Sequence, residues 1–449
     1  MLPWSVLVSQ AYAMPIMDYQ RYLDAQSNAR TEGSSFEVLD GKSASRAIRQ
    51  HLQAADMHFS AGRFQAAIQE LEQADSKGPS SSLKVALGEL YNRVGRYEDA
   101  IRIAEGVIKE LPKSAQPHDI IGNAYLHLNK PDQAVQAYLQ VIAKAPDMAI
   151  GYHHLGDAYW TLGRNKDALA QYQEAIKRDP GLVNVLIKSA TVLQELGQKQ
   201  NALEKAQAAL RAAPNNPLAQ AALGDAYLAL GDHARAEAQF RTATELQPNF
   251  PYFQERLGET YALQHNFAKA LAVYQQIVMR NPENIGANRQ LAKLYRQTGQ
   301  PALSEYHLGL AAVLGNKLTE AATHYRAALK KDPRLKGAYL DLALVSLKQK
   351  RWLEAIQAAS KAAELDPRDA MALSLLGQAY LGSGKVQEAE QILVRAIQID
   401  ARYAPAHLHL AETLVRQKRC REAAQHYEMA MGLGLRNDEL AQQLLDCRQ

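Results

Sequence analysis

Only two cysteines occur in 449 residues, which excludes a multi-bridge disulfide framework and a cysteine-rich zinc module. Long apolar runs are missing as well. No segment approaches 18 uninterrupted apolar residues, so no membrane-spanning helix is expected. Charge of one sign is also scarce: 51 Lys and Arg stand against 47 Asp and Glu, a net of +4. That is too little over this length to mark a whole-chain nucleic-acid or membrane-surface binder. There is no GxxxxGK[ST] phosphate loop, GxGxxG, HExxH, GxSxG or CxxC. The closely spaced histidines do not form metal pairs: His407 and His409 are two apart, pointing roughly 200° away from each other on a helix, and His153 and His154 are adjacent. Enzymatic activity, a metal and a cofactor are therefore not expected. The chain has 47% apolar and 22% charged residues, the composition of a soluble globular protein. Its aromatic residues are lopsided, with 21 Tyr against 7 Phe and 3 Trp.

The tyrosine bias is periodic. The run from Leu155 to Pro180 returns two periods later, from Leu223 to Pro248, in the same frame. Self-similarity at a period of about 34 residues fixes the architecture before any local reading does. Eleven units fit the frame. Each reads as two amphipathic helices joined by a short turn. The eighth position is always small, as at Gly88, Gly156, Ala190, Gly224 and Gly309, and the twentieth is Ala in every unit, from Ala67 to Ala423. Tyrosines recur at the eleventh and twenty-fourth positions, for example Tyr91, Tyr227, Tyr172 and Tyr325. Small residues let two helix axes approach closely, and the bulky ones fill what the small ones leave. Pro closes nine units, where its missing donor ends the second helix.

This pattern of small, aromatic, Ala and Pro positions resembles the tetratricopeptide repeat family over residues 48–437. The resemblance implies an all-α fold, a right-handed α-solenoid of about eleven helix hairpins whose first helices line a concave groove, with no β-structure. A single hairpin cannot bury its apolar face, so neighbours supply the core and the ends need caps.

The frame divides the chain. Residues 1–47 form a leader outside the repeats, 48–284 an N-terminal block, 285–301 a half repeat, 302–437 a C-terminal block and 438–449 a capping helix. At the half repeat, three helices near 286–298, 302–314 and 318–331 replace the four that two full units would need. Either the solenoid changes curvature or groove direction there, or the middle helix serves as second helix to one neighbour and first helix to the next. Residues 1–13, MLPWSVLVSQAYA, hold a short apolar run ending in Ala11-Tyr12-Ala13, like the latter half of a secretory signal without its positively charged start. Cytoplasmic and exported locations both stay open. Cys420 falls near the start of the last second helix and Cys447 near the end of the capping helix, with their midpoint at the Gly432–Gly434 turn. A disulfide between them would staple the cap and require an oxidising compartment; the alternative is two reduced thiols.

By the resemblance, positions 2, 5, 9, 12 and 13 of each first helix face the groove. That places Glu89, Asn123, Asp157, Asp225 and Glu259 at position 9, with Asp119 and Glu255 adding charge, as an acidic floor in the N-terminal block. The sign reverses at Arg289, Lys293 and Arg296. Among these charges lie His153, Trp160, Tyr252 and Tyr306, aromatic anchors suited to peptide binding. The function so implied is a non-enzymatic scaffold that holds a protein segment, basic where it meets the acids, and assembles a multiprotein complex. A different class is an exported subunit of a polysaccharide or pilus secretion apparatus. Nucleic acid is disfavoured by the acidic floor, and the sequence does not give the oligomeric state.

Overall fold

The computed structural model describes residues 46–447; the leader and the proposed signal-like segment lie outside them. Those residues form 24 α-helices and no strand, an all-α repeat solenoid. They divide into two compact units, one ending at Thr260 and one beginning at Tyr261.

The repeat frame explains the packing within each unit. All eleven alanines at the twentieth position, from Ala67 to Ala423, are 0% exposed, so the phase read from the sequence is the phase of the helix contacts. The eighth position is small because the twenty-fourth side chain lies over it. A methyl group at Gly156 would sit 2.5 Å from the Tyr172 ring, and Gly224 and Gly309 face Phe240 and Tyr325 in the same way. Each hairpin turns through one residue of positive φ, glycine in most, as at Gly163, Gly197 and Gly231, but Asn129, His265, Asn316, Lys350 and Lys418 in the others. The left-handed conformation ends the first helix and satisfies its last carbonyls. Several first helices start on a capping side chain: Asn216, Asn284 and Asp369 each accept from backbone N–H groups one turn in, offsetting donors the helix cannot satisfy itself.

In the first unit one core runs from Ile48 to Ala137 and a second includes Tyr138, Val141 and Leu155. Successive first helices touch each other, as Ser81–Arg93 does Gln116–His127, and Ala149–Thr161 also contacts Val183–Glu195 side chain to side chain. In the second unit the half repeat falls in order: helices Ile285–Gln297, Pro301–Leu314 and Leu318–Lys331 stand where the three were expected. Pro301–Leu314 packs on both neighbours, so it is second helix to one and first helix to the next. The capping helix is Asp438–Cys447. Asn437 accepts from the Leu440 N–H, and the Tyr427 hydroxyl donates to the Asn437 carbonyl at 2.7 Å. Leu440 and Leu444, four apart, are buried, whereas Leu445 is turned off that face and exposed. Cys420 and Cys447, the outer ends of the last two helices, are disulfide-bonded with Cα atoms 5.7 Å apart.

Candidate functional site

The polar residues singled out in the first unit meet one another across the stack. Residues about one repeat apart stand on touching first helices, so a charge on one finds its partner on the next. Asp157, on Ala149–Thr161, is 3% exposed and faces Lys188, on Val183–Glu195, which is 0% exposed. Lys188 Nζ donates to Asp157 Oδ2 at 2.8 Å and lies 3.1 Å from His153 Nε2, while the Tyr172 hydroxyl donates to Asp157 Oδ1 at 2.6 Å. Such a carboxylate and ammonium are tolerable inside a protein only together and hydrogen-bonded. His153 is buried beside them.

Related constructions occur one repeat before and two repeats after. Asp119 pairs with His154 at 2.7 Å and accepts from Asn123, which itself accepts from the Tyr138 hydroxyl at 2.7 Å. Asp225 takes Arg256 Nε at 2.6 Å and the Tyr252 hydroxyl at 2.5 Å, and Arg256 also pairs with Glu259. Burial works against the Arg256 charge, but the Asp225 and Glu259 carboxylates overcome it and hold the guanidinium above its ordinary value. Glu255 is half-buried on that helix. Trp160 is buried, its indole N–H donating to Glu195 at 3.0 Å. Burial raises the Glu195 carboxyl, opposed by hydrogen bonds from Trp160 and Asn165.

Glu89 differs from these acids. Its side chain reaches solvent, yet the protein atoms crowded around it, and then the Asp119 charge, push its carboxyl up to about 7. A carboxylate that is both wetted and crowded by protein marks a recess, and solvent limits how much energy that shift carries.

In the second unit Arg289, Lys293 and Arg296 are exposed along Ile285–Gln297. Their spacing of four and three puts them on one face. None has an ion-pair partner among the described residues. Tyr306, on Pro301–Leu314, is half-buried, and burial, then the Asp341 charge, raise its phenol. Lys188, Arg256, Glu195 and Asp341 were not singled out by sequence. A signal for three of them exists in the frame: the sixth position of a first helix is apolar at Ile120, Ala222 and Leu375 but ionisable at Lys188, Arg256 and Asp341. Among the described residues no three His, Cys, Asp or Glu side chains are grouped to hold a metal, and no helix is long and apolar enough to cross a membrane.

Comparison with known proteins identifies the repeat. Residues 185–445 match the family model described as the cilia and flagella-associated protein 70 C-terminal domain, over half the chain, and residues 52–115 and 121–183 match the tetratricopeptide repeat model. The chain belongs to the tetratricopeptide repeat family. Repeat proteins of this fold are typically non-enzymatic protein-interaction scaffolds. Among solved structures, the chain is similar to a tetratricopeptide repeat protein from Parabacteroides merdae at 15% identity and TM-score 0.44, covering 56% of this chain and 100% of that one. YrrB, described as a tetratricopeptide repeat protein with an unusual peptide-binding site, aligns at 24% identity and TM-score 0.35 over 41% of this chain and 95% of its own. Cut9–Hcn1 of APC/C aligns at 13% and 0.30 over 90% and 97%. No curated protein matches the sequence of this repeat protein.

Proposed function

We propose that this chain is a non-enzymatic scaffold that holds an extended protein segment against its first-helix faces and thereby assembles a multiprotein complex. The observation that supports it most is the Arg289, Lys293 and Arg296 stripe: three exposed cations on one helix face with no acid answering them among the described residues, in a chain whose other first-helix charges largely find partners at home. Such a stripe favours acidic residues in the segment, since complementary charge speeds encounter and fixes register. A preformed surface leaves the ordering cost mainly with the ligand. The expectation of a basic segment in the first unit rests on Glu89, because Asp157 and Asp225 are already answered by Lys188 and Arg256. Crosslinking mass spectrometry on the full chain in its native cell tests the proposal. Crosslinks should join Lys293 to an acidic segment of a partner and vanish in an R289E/R296E variant of unchanged helicity, which keeps Lys293. Partner crosslinks indifferent to those reversals would refute this binding surface.

One observation favours the second reading, an exported subunit of a polysaccharide or pilus secretion apparatus. The Cys420–Cys447 bond fits an oxidising compartment. Thiol titration of natively produced protein should then find no free thiol; two titrating thiols would remove this support.

A further inference from the structure

A hydrogen bond that recurs in the first unit is missing at Tyr325 in the second. Tyrosines at the twenty-fourth position lie buried over the small eighth position, and their hydroxyls reach the ninth: Tyr138 donates to Asn123 and Tyr172 to Asp157. For Tyr325 the ninth position is Leu310. Its ring is 0% exposed, and its hydroxyl is buried with no hydrogen-bond partner. Natural proteins seldom bury a hydroxyl unsatisfied.

The surroundings of Tyr325 reverse the first unit in a second respect. At the sixth position, where Lys188 and Arg256 supply cations, the Lys336–Lys348 helix carries Asp341. The Tyr306 ring lies 6.0 Å from the Tyr325 ring, and burial, then the Asp341 charge, raise its phenol. Gly337 leaves room for it, since a methyl group there would sit 3.1 Å from the Tyr306 oxygen. Burial raises the Asp341 carboxyl, and only the neighbouring Tyr306 phenol opposes it; no cation contributes. The Tyr325 phenol is raised in turn by burial, by Asp341 and by Tyr306. The second unit thus holds a half-buried carboxylate without a counter-charge beside a phenol without a partner, in slots that the first unit fills with an ion pair and a hydrogen bond.

We propose that Asp341, with the Tyr306 and Tyr325 phenols around it, is a subsite for the cationic end of an arginine or lysine side chain on the bound segment. This rests on the segment-binding reading above and adds the chemistry of one position. A guanidinium brings up to five donors in a planar fork, enough for a carboxylate and a phenol oxygen together, and an ammonium brings three. Aromatic faces near the carboxylate favour a cation further. The first unit shows the intended occupancy, with Lys188 playing against Asp157 and Tyr172 the part the ligand plays here.

The test uses the full chain and two defined probes, the blocked pentapeptide Gly-Gly-Arg-Gly-Gly and its citrulline counterpart, which keeps the shape and loses the charge. Binding to every variant is measured by isothermal titration calorimetry, with the carbon-13 carboxyl resonance of Asp341 as the local report where that residue is kept. The arginine peptide should saturate the signal, binding about tenfold more tightly than the citrulline peptide and about tenfold more tightly than it binds Asp341→Asn. Tyr325→Phe, which keeps the carboxylate and the ring, should weaken binding by about twofold to fivefold. Equal binding of the two peptides, equal binding to wild type and Asp341→Asn, or no saturation below about 10 mM would overturn the subsite. Partner crosslinks that ignore Asp341→Asn would sink this inference and spare the scaffold; charge-selective peptide binding in a chain that yields no partner crosslinks would do the reverse.

Discussion

The two units place ionisable side chains at the same step of the repeat and settle them differently. In the first, Lys188 and Arg256 answer Asp157 and Asp225 from the adjoining hairpin, and Tyr172 completes the shell of Asp157. In the second, Asp341 stands at the sixth position in place of those cations and has no counter-charge, and the corresponding tyrosine has lost its acceptor to Leu310. The backbone frame is shared, so the difference lies in side-chain chemistry alone. An apolar frame repeated in every hairpin supplies the fold, while a few polar slots within it serve either as internal fastenings or as open valences.

The comparison breaks most readily at its strongest fastening. Lys188→Met leaves Asp157 buried without its cation and should cost about 3 to 5 kcal/mol, whereas the Lys188→Met/Asp157→Leu pair should recover most of that. Hydrogen-exchange protection of helices Ala149–Thr161 and Val183–Glu195 reports it locally, which suits a repeat array whose unfolding need not be all-or-none. A single variant as stable as wild type would show that the buried pair does not fasten the hairpins.

The units should also respond oppositely to pH. Burial lowers His307 in the second unit to about 4, so the folded state resists a proton that the unfolded state takes. The stability this confers is present above about pH 6.5 and is lost as pH falls toward 4, by about 2 to 3 kcal/mol at most. Glu89 in the first unit is raised to about 7 by crowding and by Asp119, so its contribution is full below about pH 4.5 and is lost as pH rises through 7. Its exposure makes that effect the smaller one. Exchange protection measured from pH 4.5 to 7 and corrected for intrinsic rates should fall near Glu89 and climb near His307. Glu89→Gln and His307→Gln should each flatten their own slope; slopes of one sign would contradict the assignment.

Glycine at the eighth position allows a finer comparison. Gly156→Ala and Gly309→Ala both push the overlying tyrosine, an overpacking cost of about 1 to 3 kcal/mol. Gly156→Ala should be worse by about 1 kcal/mol, because Tyr172 has a hydrogen bond to lose and Tyr325 has none. Thermal or denaturant unfolding of the two variants decides it, and an equal cost would weaken the contrast.

The fold was legible because it rests on volume. A residue that must be small in eleven units leaves a mark in one sequence, and all eleven alanines are fully buried. The polar slots were less so. Asp157 and Asp225 could be placed on a first helix, but the frame does not state what stands opposite, and Lys188 reads as one charge inside the apolar run VNVLIKSA. Trp160 was assigned to a groove-facing set and is buried against Glu195. Pairing depends on two side chains in successive hairpins agreeing in charge, a signal carried by individual positions rather than by the period.

The most direct test of the contrast between fastened and open slots is the pair Tyr172→Phe and Tyr325→Phe, each removing one oxygen from an equivalent buried ring. Measured by equilibrium unfolding and local exchange, Tyr172→Phe should cost about 1 to 2 kcal/mol, because Asp157 loses a donor in the interior, while Tyr325→Phe should be neutral or stabilising by up to about 1 kcal/mol. Equal costs for the two substitutions, or a larger cost at Tyr325, would contradict the account.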